Sequence, residues 1–250
     1  MVLTDEMRAY YRDHPLMVSS PFGGVEGVNR ELLLSTFDTL GVALDGRRIL
    51  DVGCGRGYLE EVVREQGGAY VGVDLVPSRA GFALALADGA ALPFPDGVFD
   101  GVCCIDAFEH FPEAERGVAE FHRVLSPQGF VFLSAPNYAN VAGLVKAYCE
   151  RFGDYEPDTW APFRNWCPQE FERPLTGRVV RRLFRRGGFT RFRRIAHGPE
   201  VGLGLFPWIE HSRMPETLKF RLQRGFGAIG PAIARVWPGT SLHHFWKIQK

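Results

Sequence analysis

The chain's 250 residues, 46% hydrophobic and 23% charged, suit one α/β domain with additions and leave little room for two full domains. No stretch approaches the ~20 consecutive apolar residues of a membrane-spanning helix, and MVLTDEMRAYYRDH lacks the apolar run of a signal peptide, so a soluble, cytoplasmic protein is expected. The formal net charge of zero conceals a division: residues 1–136 carry 10 Lys and Arg against 20 Asp and Glu, and residues 137–250 carry 19 against 9. A segregation of this size means that the C-terminal half faces something anionic or that the halves attract each other.

The first 25 residues show little regular pattern, since Pro15, Pro21 and Gly23-Gly24 break any helix; they read as a surface-packed leader or as a lid. Glu26 to Leu40 places Val28, Leu32, Leu33, Phe37 and Leu40 on one helical face. Asp45-Gly46 turns the chain into a first strand, Arg48 to Val52, which stops in the alternating glycines of ILDVGCGRGY. Gly53, Gly55 and Gly57 tolerate backbone angles that a side chain forbids, and their N–H groups are expected to stand open to a ligand. A dinucleotide-binding GxGxxG would need a third glycine where Tyr58 stands, which disfavours a nicotinamide-linked oxidoreductase.

Tyr58 to Gln66 reads as a helix, Ala69 to Asp74 as a second strand and Phe82 to Ala87 as a third, joined by too few residues for a full crossover helix. Gly101 to Ile105 is the fourth strand, followed by Asp106-Ala107-Phe108-Glu109-His110-Phe111. Pro112 to Leu125 is a helix, Ser126 to Gly129 a turn, and Phe130 to Ala135 the fifth strand. An irregular region from Tyr138 to Leu175 is dense in aromatic residues and reads as an acceptor pocket or a small auxiliary core. Thr176 caps a basic helix, Gly177 to Arg186; Phe189 to Ile195 is a sixth strand. A second insertion, Ala196 to Thr240, carries an amphipathic helix near Pro215 to Val236, and Leu242 to Gln249 closes the chain as a strand. The five cysteines form no CxxC pair, and Cys103 and Cys104 are adjacent, so neither a disulfide framework nor a metal site is indicated.

The glycine turn with Asp51 two residues before it resembles motif I of the class I S-adenosylmethionine (SAM) dependent methyltransferases, and ADGAALPFPDGVFD resembles their small-molecule type, such as the ubiquinone and menaquinone biosynthesis enzymes. The resemblance implies a Rossmann-like α/β fold: a seven-stranded, mostly parallel sheet with helices on both faces, an antiparallel last strand and C-terminal insertions forming a cap. It implies one domain overall, with an N-terminal helix and lid in 1–45, a SAM-binding core in 46–136, and the rest of the sheet with its cap in 137–250.

It further implies that Asp51, Gly53, Cys54 and Gly55 face the amino-acid part of SAM, that Asp74 and Leu75 serve the ribose, that Asp88 and Gly89 meet the adenine, and that Asp106 lies near the methionine part. Asp88 before a glycine is also an ordinary turn former. The family's usual pair of glycines before the fifth strand is broken by Gln128.

A sulfonium methyl is already activated, so such a protein has to bind SAM, exclude water and align an acceptor, leaving S-adenosylhomocysteine (SAH) as product. A hydroxyl acceptor gains from a base, and His110 is the candidate; its other reading is a histidine held by structural neighbours. The arginines at 178, 181, 182, 185, 186, 191, 193 and 194 read as a solvated face or as a dock for a small anionic or lipid-linked acceptor or an anionic membrane surface; no nucleic-acid-binding signature accompanies them. The alternative of another class is a SAM-binding or regulatory protein without transfer activity.

Overall fold

Ile49, Leu50 and Val52 of the first long strand are all buried, so that strand has no wet face and must be covered on both sides. The computed structural model describes residues 2–13, 23–24, 27–28, 30–76, 84–141, 143–144, 148, 172–196, 215–237, 239, 241 and 243–250. In chain order the elements are α1 (Val2–Asp13), β1 (Gly23–Gly24), β2 (Gly27–Val28), α2 (Arg30–Leu40), β3 (Arg48–Val52), α3 (Tyr58–Glu65), β4 (Ala69–Asp74), β5 (Leu84–Leu86) and β6 (Phe99–Ile105). After a 3₁₀ turn at Phe108–His110 come α4 (Ala114–Val124), β7 (Leu125–Pro136), α5 (Gly177–Arg186), β8 (Arg191–Ile195), α6 (Glu216–Val236) and β9 (His243–Gln249).

The main sheet has seven strands in the order β5-β4-β3-β6-β7-β9-β8. β3 pairs in parallel with β4 and β6, β4 with β5, and β6 with β7, whereas β9 is antiparallel to both β7 and β8. This is the Rossmann-like sheet with a reversed last strand that the resemblance implied. The chain leaves β3 for β4 on one side and later returns to β6 on the other, so the crevice at their carboxyl ends is the topological switch point where such sheets bind ligands.

Alternation along the strands separates two cores. Leu50, Val102, Cys104 and Leu133 face Val118 and Phe121 of α4 and Val180 and Phe184 of α5; Ile49, Cys103, Phe130 and Phe132 face Leu33 and Phe37 of α2 and Val62 of α3. Phe37 meets Phe132 edge-on at 4.8 Å, a geometry worth about 0.5–1.5 kcal/mol beyond burial.

Four expectations shift. The first 25 residues are not without pattern: α1 occupies Val2–Asp13, because every breaker lies beyond it and Met7 is buried. α2 starts at Arg30 rather than Glu26, since Gly27 and Val28 pair with Gly23 and Gly24 in a small hairpin, and Arg30 is ion-paired to Glu65. Ser126 to Gly129 bulge within a longer β7, between the pairs Phe99–Leu125 and Gly101–Phe130. The edge strand β5 ends at Leu86 rather than Ala87, and β8 starts at Arg191 rather than Phe189. The crossover at 77–83 and most of the aromatic insertion lie outside the described residues. Among the described residues no helix is long and apolar enough to cross a membrane.

Candidate active site

The glycine turn is held by β4. Gly53 (φ 76°) and Cys54 donate N–H bonds to the Val73 carbonyl at 2.9 and 3.1 Å, and Gly57 (φ 74°) donates to Cys54 at 2.8 Å. Gly55 N–H donates to Asp74 Oδ2 at 2.8 Å, and Val76 N–H to Oδ1 at 3.2 Å. The expectation of open N–H groups at these glycines is therefore corrected: each donor is used internally, because buried amides must find acceptors, and β4 supplies those of Gly53 and Gly55 while the turn itself supplies that of Gly57. What the glycines give instead is close approach. A Cβ at Gly53 would lie 2.4 Å from that of Ala107, so the turn sits directly against the loop after β6. Gly53→Ala is expected to destabilise the fold by about 1–3 kcal/mol, read as a shift in denaturant midpoint.

Around this turn the acids gather. Asp51 is buried at the end of β3, where Tyr70 donates its hydroxyl to Oδ2 at 2.9 Å. Burial, reinforced by the charge of Asp74, lifts its carboxyl to about 7. Asp74 is raised by burial too, with Gly55, Val76 and Leu75 N–H groups opposing the rise. Leu75 is half-buried beside it. The Cys54 thiol is pushed up by burial and by both carboxylates, so it stays protonated.

Asp88 accepts from Ala90 N–H at 2.8 Å, the local turn its sequence also suggested. That turn lies against the same crevice, because a Cβ at Gly89 would strike the Phe111 ring at 2.3 Å and come within 3.1 Å of Val52 Cγ1.

Across the switch point, Asp106 ends β6 with φ +46°, a left-handed geometry that costs a non-glycine residue about 1 kcal/mol or more. Ser134 of β7 pins it twice, donating Oγ–H to Oδ1 at 2.7 Å and accepting its N–H at 3.0 Å. The chain then folds into the 3₁₀ turn bearing Glu109 and His110. Glu109, 2% exposed, was not singled out from sequence: burial first, then the charges of Asp106 and Glu172, raise its carboxyl well above the usual range, and among the described residues Oε2 has no hydrogen-bond partner. The signal was its place between Asp106 and His110. His110 lies 3.9 Å from Glu109 Oε1, beyond hydrogen-bond reach, with a side chain 14% exposed. Arg173 N–H donates to the Glu109 carbonyl, and Tyr138 donates its hydroxyl to Glu172 at 2.7 Å, which brings residues 172–173 over this edge.

The structure thus brings Asp51, the glycine turn and Asp74 together, sets Asp106 beside them and Asp88–Gly89 along the wall. Residues 50–133, the span that holds all these groups, match the family model described as a methyltransferase domain. Over that span the chain resembles a class I methyltransferase domain.

The chain is 33% identical over 109 residues to a ubiquinone biosynthesis O-methyltransferase of Pseudomonas aeruginosa, covering 38% of this chain and 46% of that one. It is 36% identical over 97 residues to a demethylmenaquinone methyltransferase of Thermus thermophilus, covering 33% and 44%. The chain therefore spans a little under half the length of these curated relatives. The crystal structure of a SAM-dependent methyltransferase from Archaeoglobus fulgidus has the same fold, with a TM-score of 0.56 at 19% identity over 88% of this chain and 94% of that one. The span matched to the methyltransferase domain ends within β7, so the basic C-terminal half of the chain lies beyond it.

Proposed function

We propose that the protein transfers a methyl group from SAM to a small-molecule or lipid-like acceptor by in-line displacement, releasing SAH. The observation that carries this is the grouping of Asp51, the closed glycine turn and Asp74 at the switch point, with the loop after Asp106 packed against the turn. The donor set fits the group. Buried carboxyls lifted toward neutrality lack a counter-charge, and a ligand bearing an ammonium and a sulfonium provides one. Asp74 uses two of its roughly four acceptor positions on backbone N–H, leaving capacity for a diol. When bound, SAM supplies a methyl already activated on sulfur.

The chain's own residues then bind, orient and dry the site. Asp51 holds the amino-acid end, Asp74 the ribose, and the Asp88–Gly89 turn under Phe111 walls the adenine end. Phe108, wholly buried between Phe111 and Phe184, keeps water from the floor. The acceptor approaches from the edge where His110, Glu109 and Tyr138 meet. The names of the relatives, a ubiquinone biosynthesis O-methyltransferase and a demethylmenaquinone methyltransferase, favour a quinone-type acceptor, with oxygen the one methylated atom that they name.

Incubating the full chain with SAM and a panel of hydroxylated aromatic acids and polyprenyl phenols, with SAH read by mass spectrometry, tests the proposal. Acceptor-dependent SAH supports it; SAH binding with no turnover on any acceptor leaves a cofactor-binding protein. With an acceptor in hand, His110→Ala is expected to lower kcat by roughly 10²-fold or more while SAH affinity changes less than about twofold. Unchanged turnover removes His110 from the chemistry.

A further inference from the structure

The eight arginines between positions 178 and 194 differ in what they touch. Arg193 donates to the carbonyls of Thr39 and Leu40 at 3.0 and 3.1 Å and so caps the carboxyl end of α2. Arg181 and Arg185 each lie over the Phe192 ring at 5.7 Å. Arg178, Arg181 and Arg194 share a further place: together with Thr176 and Gly177 at the start of α5, and with Trp246 of β9, they line a pocket of about 640 Å³. That volume lies within the ~300–1,000 Å³ usual for ligand sites.

The pocket is a concentration of positive charge and unused donors. Among the described residues none of its three guanidinium groups has a carboxylate partner, and burial with the charge of Arg181 pushes Arg194 down. Arg194 lies over the indole of Trp246 at 5.3 Å and close to Gly177, where a Cβ would come within 2.3 Å of Nη1. Thr176 caps only Val179 N–H, so the first turn of α5 offers its other amides and the positive end of its dipole. Trp246, 1% exposed, lines the pocket, and its indole N–H has no acceptor among the described residues. Behind it His244, wholly buried, has both ring nitrogens without a partner among the described residues and its Cε1 turned to Gly177. A buried donor without an acceptor is costly, and an incoming oxyanion recovers that cost.

The wall is fixed before any ligand arrives. Asn137 Nδ2 donates to the carbonyls of Gly239 and Ser241 at 2.8 and 2.7 Å, and Asn140 Nδ2 to Ser241 at 2.7 Å, tying the end of β7 to the segment before β9. The pocket is also joined to the methyl-transfer edge. Residues 172–176 run from the Glu109 carbonyl, bonded by Arg173 N–H, past Leu175, whose carbonyl accepts Tyr138 N–H, to the cap of α5.

We infer that this pocket binds the phosphate or diphosphate group of an organic acceptor, held by Arg178, Arg181 and Arg194, the first turn of α5 and the Trp246 indole. The inference rests on the methyl-transfer reading above and names its acceptor as a phosphorylated molecule. Guanidinium forks match tetrahedral oxyanions in paired bonds, and three of them with a helix start suit a doubly charged group better than a carboxylate.

The test is calorimetric titration of the full chain with inorganic pyrophosphate, with SAH titrated into the same sample. Saturable pyrophosphate binding is expected, weakened roughly tenfold or more in the Arg178→Gln/Arg181→Gln double variant, whose side chains are exposed and whose fold is not at risk. The charge-matched Arg182→Gln/Arg186→Gln variant on the same helix is expected to change affinity less than about twofold. Equal weakening by both variants, or no saturable binding, overturns the pocket. Pyrophosphate binding without SAH binding sinks the methyl-transfer reading instead. Vesicles of phosphatidylcholine with and without phosphatidic acid identify the source: competition by the acidic vesicles alone marks a lipid-borne phosphate, and none marks a soluble one.

Discussion

Asp51→Asn is expected to make the free protein more stable at neutral pH while weakening its hold on SAH. Burial lifts the Asp51 carboxyl to about 7, far above its value in an unfolded chain, so the folded state keeps a proton that the unfolded state releases. The stabilising contribution of that proton is complete below pH ~4, is lost as the pH rises toward about 7, and stays lost above it. Asparagine fits the same space, its carbonyl still accepts the Tyr70 hydroxyl and it carries no charge to desolvate. The variant should therefore gain on the order of a few kcal/mol at pH 8, a gain that shrinks to nothing near pH 4, in denaturant melts across that range. SAH affinity should fall roughly tenfold or more, since the ligand's ammonium loses its counter-charge. A variant less stable than the parent at pH 8 contradicts the burial reading; unchanged SAH affinity removes Asp51 from the cofactor site.

The same substitution one strand over should act with the opposite sign on stability. Both oxygens of Asp74 accept backbone N–H groups, from Gly55 and Val76, and an amide has only one acceptor to offer. In Asp74→Asn one of those N–H groups faces an NH₂, costing about 1–3 kcal/mol and loosening the glycine turn from β4. The charge relieved is worth less here than at Asp51, because the backbone donors already favour the ionised form. SAH affinity should drop by roughly 10²-fold, from lost ribose contacts and a turn no longer pre-ordered. The pair is read by parallel melts and titrations: stability up and affinity down at 51, both down at 74.

The contrast shows where sequence stops being informative. That Asp51 and Asp74 end adjacent parallel strands was legible, because apolar runs halted by glycines and acids at strand spacing leave few alternatives. Which of them is short of hydrogen bonds was not, since that depends on β4 turning its carbonyl and carboxylate onto the glycine turn. The open amides expected at Gly53 and Gly55 failed for the same reason: a neighbouring strand satisfies them, while Gly57 is closed locally on the Cys54 carbonyl. α1 was missed because Pro15 and Gly23-Gly24 were allowed to speak for residues before them. Glu109 was overlooked beside His110, as nothing local says that one side chain turns inward and is fully desolvated. The arginines looked like one basic face, and only the antiparallel return of β9 separates Arg193 at a helix end from Arg194 over Trp246.

One measurement bears on the whole construction: titration of SAM and SAH into the full chain at about pH 6.5, in two buffers of different ionisation enthalpy. Saturable one-to-one binding is expected, with a buffer-dependent heat that reports a proton leaving Asp51 as the ligand's positive charge arrives. The absence of saturable heat with either ligand, or binding of NAD(H) in their place, would contradict it.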